Sequence, residues 1–282
     1  MSFGNKKEIL IMNQELFIMR KCIILKHCPD ATNIMPPVVI GAQNNVLIAE
    51  TPSGQKVFKF GAPGLVEKNA AVSQLYNIRR IPVPHVTAHK VDGVCFEKSD
   101  KVAGITLFEA IQNGMSREKI KQVYEDILVE FDKMSHIWPA HLNNNLTRNV
   151  HDIAMLNVSN TNSPVLGKLC MAFVYIMNIG RKQDQAVFHS DITPKNIIVS
   201  PDGKFKCFID LDSVCICNKN YAFGIMAAKY QELGFDVNEL MNKYHQISHN
   251  RLPANKINRR IALATSVKRL LWQHANKKRH QK

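Results

Sequence analysis

The stretch His189–Asn196 reads HSDITPKN and places a histidine, a carboxylate and an amide close together. The spacing His-x-Asp-x-x-x-x-Asn is moderate support for a site by itself, because three residue types can coincide by chance. The next residues of the chain strengthen it. Asn196–Ser200 and Phe205–Ile209 have strand character, and the turn between them has Pro201 and Gly203 at the positions that suit type I. The sequence therefore predicts a polar loop followed at once by a β-hairpin.

The second strand of this hairpin runs into two acids, Asp210 and Asp212. Transfer of a γ-phosphoryl group needs a carboxylate that orients and deprotonates the acceptor hydroxyl, and oxygen ligands for magnesium on the phosphates. We therefore expect Asp191 to be the catalytic base, with Asn196 and Asp210 as magnesium ligands. Asp212 either contacts a second metal or orders the loop. His189 is expected to hydrogen-bond the loop backbone.

The first hundred residues read as strands around one helix. The first 35 residues have helical spacing, which Pro36–Pro37 would end. The patterns beyond them predict strands at Val38–Ile40, Val46–Ala49 and Lys56–Phe60, a helix over Leu65–Arg79, and a short strand at Val94–Phe96. The segment Ile81–Pro84, which reads IPVP, cannot continue a helix.

A lysine for the nucleotide phosphates should come from this strand-rich part. Lys59 lies in a predicted strand, and Lys56 is a competitor on the opposite face, closer to the turn. Between residues 51 and 96 the acids are Glu67, in the predicted helix, and Asp92, in a turn. Glu67 is therefore predicted to pair with Lys59.

Two further segments are candidates for the nucleotide. The Gly41–Asn45 loop lies between predicted strands, and its backbone amides or the side chains of Asn44 and Asn45 could meet phosphate oxygens. The backbone of Phe96–Ser99, including Glu97 and Ser99, is expected to meet adenine where two lobes join.

Beyond about Gly104 the chain is mainly helical. Ser116 is a plausible N-cap for a helix whose apolar residues recur every three or four positions as far as Met134. A second apolar helix is predicted over Val165–Asn178, ending near Gly180. The order is a small sheet with one helix, then a larger helical part that carries the hairpin, which is an α+β arrangement.

These patterns resemble the aminoglycoside phosphotransferase and choline kinase-like family. The resemblance covers Val38–Lys229 and rests on the segments Gly41–Val46, Val57–Lys59, Ile81–Pro84, Val102–Leu107, His189–Asn196 and Ile209–Asp212, together with the Glu67 helix. It implies a two-lobed protein kinase-like fold, an ATP site between the lobes, Mg²⁺, and transfer to a small-molecule hydroxyl. The chain departs from the family at Tyr221–Gly224, where an acid often stands.

The resemblance divides the chain into three parts. Residues 1–35 would form a helical extension, residues 36–98 a nucleotide-binding lobe, and residues 99–282 a lobe with the catalytic loop, the metal loop and the acceptor pocket. The chain would act as a small-molecule kinase; a kinase for proteins and a nucleotide-binding pseudokinase are the alternatives.

The charge balance bears on the acceptor. The formal net charge is +14, and after Asp212 the carboxylates are Glu232, Asp236 and Glu239. A pocket for a polycationic aminoglycoside should be lined with acids, so a neutral or anionic acceptor is expected. The basic C-terminal helix could alternatively contact nucleic acid or an anionic surface, although no base-reading motif accompanies it.

The composition favours a cytoplasmic protein. The sequence has 282 residues and has no apolar stretch long enough for a membrane span. Glu8 and Glu15 interrupt the apolar N-terminal residues, unlike a signal peptide. The seven cysteines have no paired zinc-type spacing and are expected to be reduced.

Overall fold

The computed structural model describes residues 4–37, 45–138 and 185–248, and the positions 252, 254, 255, 257 and 258; side chains are described from residue 14 onward. The chain forms two compact units. The first contains residues 1–77 and 84–103, and the second contains residues 78–83 and 104–282. The chain therefore passes into the second unit for good between Ala103 and Gly104.

The first unit is an antiparallel sheet of five strands in the order β1-β2-β3-β5-β4. Its elements are α1 (Gly4–His27), β1 (Thr32–Met35), β2 (Val46–Thr51), β3 (Gly54–Phe60), α2 (Pro63–Ile78), β4 (Val86–Val91) and β5 (Val94–Asp100). Strand β5 lies between β3 and β4 and pairs antiparallel with both. Central strands of this kind have all their backbone groups available for sheet pairing.

One face of this sheet packs on the end of α1. Phe58 and Phe60 of β3 and Phe96 of β5 share a buried cluster with Ile23 and Ile24 of α1. Because side chains alternate along a strand, Lys59 and Glu97 project from the opposite face. The second face, called the polar face below, therefore carries both of these charged side chains.

The N-terminal prediction needs one correction. Helix α1 ends at His27, and Thr32–Met35 is a strand paired with β2, so the helical prediction is wrong for the residues just before the prolines. The first break comes from Cys28–Asp30, where a proline follows the last helical turn. The strand predicted at Val38–Ile40 lies outside the described residues.

The described part of the second unit consists of short strands and helices. They are β6 (Ile105–Thr106), α3 (Leu107–Gln112), α4 (Arg117–Ser135), β7 (Gln185–His189), β8 (Ile197–Val199), β9 (Phe205–Phe208), β10 (Val214–Asn218), α5 (Lys219–Glu232) and α6 (Val237–Ile247). The predicted hairpin is confirmed as β8 and β9, and β6 pairs with its outer side. Strand β10 pairs antiparallel with β7.

Helix α4 forms the core against which the β7 strand packs. The Ser116 side chain accepts a hydrogen bond from the Lys119 N–H, which confirms the predicted N-cap. The apolar face of α4 is buried, with Phe131 stacked on Phe188 of β7 at 4.9 Å between ring centroids. The helix predicted over Val165–Asn178 lies outside the described residues.

Among the described residues, no helix is long and apolar enough to cross a membrane.

Candidate active site

The loop after β7 holds its carboxylate and its amide against each other. The Asn196 side-chain amide donates to the Asp191 carboxylate Oδ2 at 2.8 Å and to the Asp191 backbone carbonyl at 3.0 Å. The Thr193 N–H donates to the Asp191 carbonyl and the Asn196 N–H to the Thr193 carbonyl, each at 2.9 Å. These bonds fix the side-chain orientations of Asp191 and Asn196.

His189 ties this loop to the strand that ends the hairpin. Its Nδ1 accepts from the Asp191 N–H at 3.3 Å, so Nε2 carries the proton and donates to the Ile209 carbonyl at 2.9 Å. The Ile209 N–H in turn donates to the Asn196 carbonyl at 2.9 Å. The expectation that His189 hydrogen-bonds the loop backbone is confirmed.

Asp210 has a left-handed backbone, with φ 62° and ψ 69°. Only a few per cent of residues other than glycine adopt this conformation, which costs of order 1 kcal/mol and clusters at functional sites. Its side chain is exposed, and Asp212 lies within the 3₁₀ turn Leu211–Ser213. Ile209, the residue before Asp210, is hydrogen-bonded to both His189 and Asn196. Asp210 therefore directly follows a residue that is fixed to both ends of the His189–Asn196 loop.

The donor set of these loops suits a hard divalent cation. Asn196 uses its amide nitrogen on Asp191, which leaves its side-chain oxygen as the group available to a metal. Mg²⁺ binds proteins through one or two carboxylates and completes its shell with water and substrate phosphates. Within the described residues no group of three or more His, Cys, Asp or Glu side chains forms a metal cluster. A cation here would be held by the carboxylate of Asp210 and the amide oxygen of Asn196.

In the first unit, the structure separates the two candidate lysines. Lys56 forms an ion pair with the exposed carboxylate of Asp100, directly opposite it on β5. Lys59 lies on the other face of β3, half-buried, and its partner in the antiparallel register is Glu97. Of the two candidates on β3, Lys59 is thus the one on the same face of the sheet as Glu97.

The acid that the sheet brings to Lys59 differs from its predicted partner. Glu67 lies on α2 with an exposed side chain, whereas Glu97 is only 8% exposed. The Asn69 side-chain amide, fully buried on α2, donates to the Glu97 carboxylate at 2.6 Å. The sequence did not predict this contact between Glu97 and Asn69, because the packing of a helix on a strand distant in sequence cannot be read from local spacing.

Of the remaining residues predicted to contact the nucleotide, the structure describes Asn45, Glu97 and Ser99. Asn44 lies outside the described residues. The Asn45 side-chain amide donates to the Phe60 carbonyl at 3.2 Å, and the Phe60 N–H donates to the Asn45 carbonyl at 2.8 Å, so Asn45 closes the end of the β2–β3 pair. Glu97 and Ser99 lie inside β5, between two paired strands, and the strand continues to Asp100. Their backbone groups therefore face neighbouring strands.

Gly104 opens the segment that supports the hairpin. Its φ is +141°, and a Cβ there would collide with the Val199 carbonyl oxygen of β8. Thr106, two residues later, forms a capping box with Glu109 at the start of α3. The Gly-x-x-Leu pattern thus has a local cause, since the glycine allows β6 to approach β8 and the threonine begins the helix.

Comparison with known proteins identifies the fold. No family model and no curated protein matches the sequence. Solved structures similar to this chain include amicoumacin kinase hAmiN in complex with AMP-PNP, Ca²⁺ and Ami, with 14% identity and a TM-score of 0.66 over 95% of this chain and 89% of that one. Aminoglycoside phosphotransferase APH(3'')-Id from Streptomyces rimosus shows 16% identity and a TM-score of 0.62 over 88% and 97% of the two chains.

Choline kinase LicA from Streptococcus pneumoniae is also similar, with 15% identity and a TM-score of 0.56 over 94% of this chain and 92% of that one. The chain therefore has the α+β protein kinase-like fold of these small-molecule kinases, as the resemblance implied. At this level of identity the likeness establishes the fold alone, and the activity has to be argued from the site.

Proposed function

We propose that this chain is an ATP- and magnesium-dependent phosphotransferase that moves the γ-phosphoryl group to a hydroxyl of a small molecule. The main support for this proposal is the group of hydrogen bonds that Asn196 forms with Asp191 and Ile209. Its side chain holds the Asp191 carboxylate, while its backbone carbonyl holds the residue before Asp210. A base and two metal-binding oxygens are thereby ordered together, as phosphoryl transfer requires.

Each residue has a defined part in the reaction. Asp191 accepts the proton of the acceptor hydroxyl while the oxygen of that hydroxyl bonds to the γ-phosphorus and the bond from phosphorus to the leaving ADP oxygen breaks. Asn196 and Asp210 would hold Mg²⁺, which neutralises charge on the phosphates when bound. Asp212 either contacts a second metal or orders the loop, and Lys59 binds the α- and β-phosphates.

The acceptor is proposed to be neutral or anionic. The sequence after Asp212 has three carboxylates, and the structure engages all of them. Glu239 pairs with Lys121 at 2.6 Å, Glu232 pairs with Lys229 at 3.3 Å, and Asp236 accepts from the Asn238 N–H at the start of α6. That part of the chain therefore brings no uncommitted carboxylate to a polycationic acceptor, whose burial without partners would be costly.

The first unit is proposed to contact the phosphates and the adenine of the nucleotide. The Gly41–Asn45 loop would contact the phosphates through its backbone amides. The side-chain amide of Asn45 is bonded to the Phe60 carbonyl and is therefore not assigned to a phosphate. The side chain of Asn44 stays a prediction. Adenine contact through the backbone of Glu97 and Ser99 would require those groups to leave their strand pairing. The Lys101 N–H is also occupied, since it donates to the Gln55 carbonyl at 2.9 Å, so we instead assign the contact to the backbone of Val102 and Ala103, just beyond β5.

The test is magnesium-dependent ADP release from ATP across sugars, nucleosides, phosphorylated metabolites and kanamycin-type amines. Wild type is compared with Asp191→Asn, and Asp202→Asn in the exposed hairpin turn is the matched control. We expect acceptor-stimulated turnover that falls by about 10²–10⁴-fold in Asp191→Asn and stays normal in the control.

The other outcomes of this assay are informative. Efficient turnover confined to kanamycin-type amines would contradict the acceptor proposal. Label transferred only to polypeptides in a lysate would favour a protein kinase, and tight nucleotide binding without any turnover would favour a pseudokinase. Salt-sensitive retention on RNA or anionic vesicles would support a surface role for the basic C-terminal residues.

A further inference from the structure

The polar face of the first unit's sheet carries a buried carboxylate where the helix offers none. Helix α2 contains a single acid, Glu67, and its side chain is exposed. Successive residues on a helix are rotated by about 100°, so the next two positions face elsewhere. Those positions are Lys68 and Asn69, which are 1% and 0% exposed. The buried face of α2 thus presents an amine and an amide instead of a carboxylate.

The carboxylate comes from the sheet. Glu97 lies directly opposite Lys59 in the antiparallel pairing of β3 with β5. Side chains directly opposite each other in such a pair have Cβ atoms about 4.5–5.5 Å apart and project from the same face. A glutamate and a lysine are both long enough to meet across that separation. Register alone therefore brings a negative and a positive side chain together.

The burial of Glu97 makes this placement demanding. A buried carboxylate is costly unless charge and hydrogen bonds compensate it. Asn69 supplies one hydrogen bond at 2.6 Å, from a helix to a strand that is distant in sequence. This bond fixes the carboxylate of Glu97 between α2 and β5. A glutamate used only for solubility would lie in solvent, as Glu67 does.

We infer that Glu97, held by Asn69, is the positioning residue that orients the amine of Lys59 toward nucleotide phosphates, and that Glu67 has no part in this. The inference rests on the proposed function, since it assigns the partner of the phosphate-binding lysine. In this arrangement the acid reaches the lysine from the neighbouring strand, and the helix contributes the amide that steadies the acid.

Three substitutions separate the two acids. Glu97→Gln removes the charge but keeps the side-chain length and an oxygen that can accept from Asn69, so the fold is expected to survive. Glu67→Gln makes the same change at the rival acid. Glu50→Gln, at an exposed position of β2, is the matched control. In addition, Glu97→Asp keeps the charge with a shorter reach and should retain part of the activity.

The kinetic readout is kcat and KM for magnesium-ATP in the full-length protein. Glu97→Gln should lower kcat/KM by about 10²-fold, the size expected for a misplaced binding group. Glu67→Gln and Glu50→Gln should match wild type. Because the two residues act as a unit, adding Glu97→Gln to Lys59→Met should lower kcat/KM no further than Lys59→Met alone.

A second readout does not depend on turnover. In this experiment the nucleotide-free protein is treated with an acetylating reagent at mildly alkaline pH, and the rate at which Lys59 is labelled is followed by mass spectrometry. A nearby carboxylate favours the protonated amine, which does not react, so Glu97→Gln should raise the Lys59 labelling rate by about tenfold, and Glu67→Gln should leave it unchanged.

The two readouts distinguish the two possible failures. Turnover with full sensitivity to Glu67→Gln and none to Glu97→Gln would overturn the inference and leave the proposed function standing. So would a labelling response of Lys68 alone, because Glu97 would then serve that buried lysine. A Lys59 labelling response without nucleotide binding by wild type would confirm the ion pair and overturn the phosphotransferase proposal.

Discussion

The two units arrange their polar residues in different ways. In the second unit, Asp191 and Asn196 lie on one short loop and bond to each other directly. In the first unit, Lys59, Asn69 and Glu97 come from a strand, a helix and another strand. A site built within one loop can be recognised from residue spacing, whereas a site built across a sheet depends on register. The comparison explains why the sequence identified the first arrangement but did not single out the acid opposite Lys59 in the second.

The largest effect is expected for Asp210→Gly in the second unit. Glycine adopts the left-handed backbone of Asp210 without strain but removes the carboxylate. We expect turnover to fall by about 10³-fold while the free energy of unfolding stays the same or rises by up to about 1 kcal/mol. Enzyme kinetics and urea denaturation of the same preparation check both. A large loss of stability would instead make Asp210 a structural residue.

A second experiment compares Lys59 and Lys56, the two lysines of β3. Lys59→Met should lower kcat/KM for magnesium-ATP by about 10²–10³-fold, as expected for removal of one charge-stabilising donor. Lys56→Met removes a partly exposed ion pair with Asp100 and should cost less than about 1 kcal/mol of stability, with normal kinetics. Equal kinetic losses in the two variants would show that strand face does not decide which lysine serves the nucleotide.

A third experiment concerns the support of the loop in the second unit. Gly104→Ala places a methyl group against the Val199 carbonyl at a backbone angle that favours glycine, and should cost about 2–4 kcal/mol. Gly114→Ala is the matched control, since its φ is also positive but open space surrounds it, so about 1 kcal/mol is expected. Denaturation midpoints measure the difference, and similar losses would mean that the close approach of β6 to β8 relaxes easily.

A fourth prediction concerns stability in alkaline solution. Burial raises the pKa of the Cys207 thiol from 9.0 to about 12 and that of the Tyr244 hydroxyl from 10.0 to about 12. A raised pKa in the folded state means that the unfolded chain loses its proton first. Stability is therefore intact below about pH 9 and falls as the pH rises toward 12, by up to about 1.4 kcal/mol per pH unit for each group.

Cys207→Ala should flatten that fall relative to wild type in urea titrations between pH 8 and about 11. An unchanged slope would show that the thiol does not contribute. The exposed Cys22 offers a contrast, because alkylation at neutral pH should modify Cys22 and spare the buried Cys207 until the protein unfolds.

The sequence predicted those parts of the fold whose causes are local. The hairpin after Asn196, the N-cap at Ser116 and the strand that carries Lys59 were predicted because turn residues, capping residues and alternation act within a few positions. The end of α1 was predicted wrongly, because the helix already ends at His27, just before Pro29, and not at Pro36–Pro37. Four residues of the predicted helix instead gain a strand partner in β2.

The site shows the same division. The bonds between His189, Asp191 and Asn196 come from a motif of eight residues. The contact of Asn69 with Glu97 depends on the order of strands and on the face of α2, and neither has a local signature. The sequence predicts a backbone role for Glu97, whereas the burial of its side chain depends on tertiary packing that has no local pattern.

Phosphoryl transfer by this chain is expected to depend on Asp191. The most direct measurement is ³¹P NMR of ATP, Mg²⁺ and the best acceptor of the panel with wild type and Asp191→Asn. We predict a new phosphomonoester signal that grows with ADP in wild type, requires Mg²⁺, and is absent over the same period in Asp191→Asn. ADP and inorganic phosphate without a phosphomonoester, or equal product from both proteins, would contradict it.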